Sequence, residues 1–259
     1  MAIRLVANSY SQNKAKQYRI SIREHSNGYS FSIVDLTNSE CVALAQYDSF
    51  KELMENPLVK EEYGEVRVVV DNASFALVPE ALFVPDNAAC YLPVAPQHQK
   101  RAVVATTNIA KFSVVGLCNR RGCFEFPNGS DSVSYVHPLF VMLEKVGAQD
   151  AMPLYKQMVF AEVQKEQIHL LVVDYKKVLL ANTFQIKTKE DILYFIIVAY
   201  QSLGLDFESV PLSLSGDYES ALQDALGDYI RVVAPMSSSR VTMSDEWNEG
   251  LSSKFALIL

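Results

Sequence analysis

The sequence predicts a two-lobed α/β protein built on a repeated unit of three strands followed by a helix. Three observations carry that expectation. Two separate blocks each read as three β-strands and then a capped helix, and the blocks superpose without a gap when the chain is shifted by 139 positions. The hairpins that open them lack the run of glycines that lets a backbone close on phosphate.

The first block begins with Tyr18 to Arg23, where Ile20 and Ile22 alternate with polar residues. Ser26-Asn27-Gly28 makes a hairpin turn into Tyr29 to Leu36, and Thr37-Asn38-Ser39 turns into Cys41 to Tyr47. Ser49, with Glu52 three residues on, opens a helix that runs toward Pro57. Val66 to Val70, apolar but for Arg67, reads as a buried strand.

The second block repeats the pattern in Val159 to Val163, Ile168 to Asp174 and Val178 to Ile186. A helix follows from Thr188, with Asp191 as the acid of its capping box, to Gly204. Pro211 to Leu214 reads as a short strand, Tyr218 to Leu226 as a helix, and Tyr229 to Val233 as a closing strand. In the superposition Ile20 falls on Val159, Ile33 on Val172, Asp35 on Asp174, Gln46 on Gln185 and Ser49 on Thr188. Repetition at half the chain length means two similar lobes, residues 1–150 and 151–259, rather than a solenoid.

Between the blocks the pattern is less regular. Phe75-Ala-Leu-Val-Pro79 leads to Leu82-Phe83, Ala102 to Ala105 reads as a strand, 128–132 as a polar loop and Pro138 to Val146 as a helix. This stretch is expected as an insertion in the first lobe. The segment after Ala234 is polar and ends in Phe255-Ala-Leu-Ile-Leu259, which is expected to pack on the protein itself.

Composition narrows the function classes. The 259 residues are 49% hydrophobic and 20% charged, a globular balance. Twenty-three basic against 30 acidic residues give a net charge of −7, with no basic stripe for a nucleic-acid backbone. The most apolar window, Ile192 to Leu203, is shorter than the ~20 residues that span a bilayer. The apolar start, Ile3 to Ala7, breaks at Asn8 before it reaches signal-peptide length, so a cytoplasmic protein is expected. Cys41, Cys90, Cys118 and Cys123 are too sparse for a disulfide scaffold, and none has partners at zinc-ligand spacing.

Two copies of strand-strand-strand-helix-strand-helix-strand resemble the actin-like ATPase fold, in which two ribonuclease-H-like lobes, each with a mixed β-sheet flanked by helices, face each other across a cleft. Phe75-x-Leu-Val-Pro79 and Thr188-x-x-Asp191-Ile-Leu-Tyr194 look like an uncharacterised bacterial family of about this length that has that fold. More distantly, the chain is similar to actin-like cytoplasmic proteins of secretion and pilus machines, some of which are scaffolds.

The resemblance implies a nucleotide site, and the residues that should form it are degenerate. In active members each lobe's first hairpin carries an Asp, glycines and a hydroxyl residue, because only glycine lets the backbone approach phosphate. Here the first hairpin keeps Ser26 and Gly28, while Glu162-Val163-Gln164-Lys165-Glu166-Gln167 has no glycine and two acids that would repel phosphate. Ser215-Gly216-Asp217 stands where the fold's adenosine-contacting glycine pair would lie. If a nucleotide binds, Ser26, Gly28, Ser215 and Gly216 are the residues that hold it; ATP with magnesium is not favoured as a cofactor. Metal-dependent phosphodiester cleavage would need converging carboxylates. Asp35 and Asp174 read instead as turn-formers, Glu52 and Asp191 as caps, and His25, His98, His137 and His169 as scattered.

The sequence therefore leans toward a non-catalytic actin-like scaffold that binds another protein, with homo-oligomers left open. A nucleotide-binding ATPase or kinase-like enzyme with a weak cleft site is the second reading.

Overall fold

The computed structural model describes residues 3–25, 28–72, 74–93, 102–120, 126, 133–148, 156–236, 241–244, 247 and 250–259. The first half contains β1 (Arg4–Val6), β2 (Tyr18–His25), β3 (Gly28–Asp35), β4 (Glu40–Tyr47), α1 (Phe50–Glu55) and β5 (Glu65–Val69). Then come β6 (Phe75–Pro79), β7 (Val104–Ile109), β8 (Val114–Asn119), β9 (Val133–Val136) and α2 (Pro138–Ala148). The second half contains β10 (Gln157–Val163), β11 (Gln167–Asp174), β12 (Lys177–Gln185) and α3 (Lys189–Leu203). It continues with β13 (Leu212–Gly216), α4 (Ser220–Gly227), β14 (Val233–Pro235), β15 (Thr242–Met243) and α5 (Gly250–Lys254).

Two mixed sheets carry the fold. The first has the order β1-β4-β3-β2-β5-β9, with β15 added on β4; the second has the order β12-β11-β10-β13-β14. In both, two antiparallel hairpins are followed by a parallel strand laid beside the first one, β5 on β2 and β13 on β10. The sequence shift reappears in the ladders. β3 and β4 slip register between Ile33 and Val34, and β11 and β12 slip between Val172 and Val173, 139 residues on in each case. One matched pair is corrected. The β11–β12 turn is shorter than the β3–β4 turn, so Gln46, opposite Ser30, corresponds to Thr183, opposite His169, and not to Gln185.

A third, small sheet, β6-β8-β7, makes up the irregular stretch and has its own core around Val78, Leu92, Val115 and Leu117. Strands β1, β8, β9 and β15 were not legible in the sequence. The closing strand expected at Tyr229 to Val233 lies instead at Val233–Pro235. The amides of Tyr229 and Ile230 turn back onto the carbonyl of Leu226 and end α4. The expected boundary at 150/151 and the loop at 128–132 lie outside the described residues, as do His98 and Cys123.

Alternation along β10 explains how the two sheets meet. Val159, Ala161 and Val163 point to the core under α3 and α4, while Phe160 and Glu162 point toward the first sheet. Phe160, Leu171 and Val173 thereby join the core that holds Ile20, Ile22, Phe31 and Ile33. Helix α2 is buried from Leu139 to Leu143, and Glu144 and Lys145 beyond them are partly exposed. Residues 255–259 are buried in that same core, as the sequence led one to expect. No helix of the described residues is long and apolar enough to cross a membrane.

Candidate functional site: a buried charge network in the interlobe cleft

In β2 the pleat sends Ile20 and Ile22 to one face and Ser21 and Arg23 to the other, and Arg23 is only 4% exposed. In β10 it sends Glu162, 1% exposed, the corresponding way. These two residues are 139 apart and hold the same ladder position: Arg23 lies between Ser30 and Val69, Glu162 between His169 and Ser215. They meet face to face. The Arg23 guanidinium donates through Nη1 to Glu162 Oε1 and through Nη2 to Oε2 at 2.8 Å, a two-pronged pair.

Two further groups complete the network. Arg23 Nη2 also donates to Asp71 Oδ2 at 2.6 Å, just past the end of β5. Asp71 Oδ1 accepts from Gln167 Nε2 at 2.5 Å and lies 2.9 Å from His169 Nε2. A carboxylate only accepts, so Nε2 of His169 carries a proton; its Nδ1 lies 2.8 Å from the Thr183 hydroxyl. Gln164 Nε2 donates to Glu162 Oε1 at 3.1 Å. The His137 ring stands perpendicular to that of His169, 5.5 Å away, and stacks on Phe75.

The electrostatics follow from burial opposed by pairing. Burial works against ionised Asp71, yet Arg23 and His169 outweigh it and hold the carboxyl well below its usual range. Burial likewise opposes the Arg23 charge, and Glu162 and Asp71 more than reverse that effect. Burial, then His169, pushes His137 down to about 3, so its ring is neutral. Its Nε2 faces the Asn72 carbonyl at 2.9 Å, and its Nδ1 accepts the Leu139 amide at the start of α2. His25 is pushed down to about 4 by burial and by Arg23.

Thr183, His169 and Asp71 are in the order of a nucleophile, a base and an orienting acid. Their surroundings do not support that chemistry. The charge of Asp71 is spent on Arg23, and the cleft cavity does not reach Thr183. That cavity measures about 30 Å³, room for a water or two. It is lined by His25, Asp217, Gln164 and Arg23, and closed by Lys254, Phe255, Leu257 and Ile258.

The segment that closes it is tied to both sheets. Ser253 Oγ donates to the Leu214 carbonyl at 3.1 Å, and Lys254 lies 3.6 Å from Asp217, both on the second sheet's side. Ser32 Oγ on β3 donates to the Ile258 carbonyl, and Lys145 Nζ on α2 donates to the Leu259 carbonyl at 3.3 Å.

Of the residues expected to hold a nucleotide, Ser26 lies outside the described residues. Gly28 has φ +116° and Gly216 has φ +89°. A Cβ on Gly28 would collide with the Tyr47 carbonyl, and one on Gly216 with the Val163 carbonyl. Both glycines are thus accounted for by chain packing. Ser215 is buried beside Glu162, and its hydroxyl has no hydrogen-bond partner among the described residues. The two loops do converge, since the neighbours His25 and Asp217 line one cavity.

Other expected roles sort cleanly. Asp35 caps its own turn through the Thr37 amide and hydroxyl, and Asp191 forms the capping box with Thr188. His137 and His169 are not scattered: they meet inside the cleft. Sequence reading missed Arg23, Glu162, Asp71 and His169 as a group. The one available signal was that Arg23 and Glu162 are charged residues at inward strand positions that coincide under the 139-residue shift. No group of three or more His, Cys, Asp or Glu able to hold a metal occurs among the described residues.

Comparison with solved structures places the fold. A Bacteroides thetaiotaomicron VPI-5482 protein with actin-like ATPase fold and unknown function superposes with a TM-score of 0.72. It is 19% identical, and the match covers 97% of this chain and 100% of that one. A chain of the PilM–PilN type IV pilus biogenesis complex gives 0.62 at 13% identity over 93% and 96% of the two chains. The ethanolamine utilization protein EutJ from Carboxydothermus hydrogenoformans gives 0.50 at 7% identity over 97% and 90%. At these identities the likeness is one of fold: mixed α/β, actin-like. No curated protein sequence matches the chain. A family model described as "Protein of unknown function (DUF3822)" matches residues 7–233, and the chain belongs to that family.

Proposed function

We propose that this chain is a non-catalytic actin-like module, of two lobes at 1–150 and 151–259, that acts in the cytoplasm by binding another protein as a scaffold or assembly factor. One observation carries the reading. The space between the two hairpins, where this fold would seat phosphates, is closed by the Arg23–Glu162–Asp71–His169 network and filled by residues 254–258. A cavity of about 30 Å³ is an order of magnitude below the few hundred Å³ of a ligand pocket. Glu162 and Asp71 would also repel phosphate, and both terminal nitrogens of the one guanidinium nearby are engaged with them. The PilM structure, similar in fold, is a complex with a partner protein, which agrees with a binding role for this architecture.

The test is a thermal melt with millimolar magnesium-ATP. A ligand present at tenfold its Kd adds about 1.4 kcal/mol, which moves the Tm by roughly 3–6 °C in a chain of this size. No shift and no phosphate release are expected. A shift of that size, or steady hydrolysis, would replace this reading with a nucleotide site at Ser26, Gly28, Ser215 and Gly216.

A further inference from the structure

The two sheets treat the same edge differently. In the first sheet the outer edge of β4 is covered: Leu5 of β1 pairs with Leu44, the Gln46 amide donates to the Ile3 carbonyl, and the Ala7 amide donates to the Val42 carbonyl, both at 2.9 Å. The matching ladders put Leu179, Ala181 and Thr183 of β12 where Val42, Leu44 and Gln46 stand in β4. Yet β12 ends its sheet, and among the described residues no strand pairs with its outer side. In place of a strand, the Thr183 amide is held at 2.9 Å by the side-chain oxygen of its own neighbour Asn182.

A nine-residue edge strand with one charged residue, Lys177, lacks the charges that commonly block strand addition. The register slip at Leu179 is no barrier, because β1 ends on the corresponding slip in β4. Beside the edge, Phe184 stacks on Phe195 with ring centroids 4.4 Å apart, next to Tyr194, which is 62% exposed. This is an apolar shelf for alternate side chains of an added strand.

Charge selects the occupant. From 175 to 188 the chain carries three lysines, Lys176, Lys177 and Lys187, and no acid, within a protein of net charge −7. Two copies paired antiparallel through β12 would bring the Lys176-Lys177 end of one against the Lys187 end of the other. We propose that the outer edge of β12 takes an extended acidic segment of a partner protein, added antiparallel as β1 is added to β4, with the Asn182 side chain displaced from the Thr183 amide.

This rests on the protein-binding reading, but its test is separate: the magnesium-ATP melt reads the cleft, and a peptide titration reads β12. The probe is a fluorescein-labelled peptide in which valine alternates with glutamate, against one in which lysine replaces glutamate. Anisotropy should show saturable, salt-sensitive binding of the glutamate peptide alone. The double change Lys176→Glu, Lys177→Glu should weaken it on the order of tenfold. Ala181→Pro should abolish it, since Pro is tolerated where an edge amide points outward, and its unchanged melting curve would certify the fold. Absent binding, equal binding of both peptides, or affinity untouched by these changes would overturn the proposal. So would a dimer that Ala181→Pro dissolves, which would make a second copy the occupant.

Discussion

Replacing Arg23 by Met tests whether the cleft is bolted by charge. The change keeps most of the side-chain volume and leaves Glu162 and Asp71, with side chains 1% and 2% exposed, without their shared cation. Removing one partner of a buried ion pair costs about 3–5 kcal/mol, a large share of the 5–15 kcal/mol that holds a typical domain together. In a chain of this size that is a Tm loss of roughly 6–20 °C. Gln164 still donates to Glu162, and Gln167 and His169 still face Asp71, so the lower half of the range is the better guide.

The variant also has a pH signature. Without Arg23 a buried carboxyl takes its proton more readily folded than unfolded, so its stability deficit shrinks as pH falls from about 7 to about 5. The double variant Arg23→Met, Glu162→Met removes one carboxylate as well and should recover much of the loss, because apolar packing replaces a buried pair at little net cost. Urea unfolding at both pH values, with melts in parallel, measures all three chains. An Arg23→Met protein within about 1 kcal/mol of the parent, or with the parent's pH slope, would refute the reasoning.

His137 is neutral in the fold with its pKa pushed down to about 3, whereas the unfolded ring titrates near 6.5. Between those values the unfolded chain binds more protons, so stability is lost as pH falls, by up to about 1.4 kcal/mol per unit. His137→Asn, which keeps an acceptor for the Leu139 amide, should flatten that slope to the part His25 contributes; urea midpoints stepped from neutral to mildly acidic pH measure it. Leu257→Ala removes a side chain 2% exposed at the cleft and should cost about 2–5 kcal/mol, read as a lower Tm. Gly216→Ala should cost about 1–3 kcal/mol through its positive φ and the Val163 carbonyl, with or without nucleotide in the melt. A loss of ATP binding in that variant would therefore say nothing about contact with ATP.

Much of the framework was legible because it is local. The alternation of Ile20 and Ile22, the Ser49 and Thr188 caps and the Gly204 stop each act within a few residues, and each holds in the structure. Strands β1, β8, β9 and β15 were not legible, because short runs such as Arg4–Val6 become a strand only when another edge receives them. The cleft network was less legible still. Asp71 and His169 are separated by nearly a hundred residues, and a lone His on a strand gives no periodic signal. Their roles arise only when the second sheet is set against the first.

The same comparison explains why the site reads as closure rather than chemistry. Arg23 and Glu162 hold one ladder position in two sheets of like order, so facing sheets bring that position against itself across the cleft. Identical charges there would repel, and an empty, apolar contact would leave Asp71 buried without a cation. Opposite charges satisfy both demands. With Arg23 held by Glu162 and Asp71, the other cation lining the cavity beside Ser30, Gln46 and Gln164 is Lys254, which lies 3.6 Å from Asp217. Closure of the cleft is in this chain built from two residues that the 139-residue shift superposes.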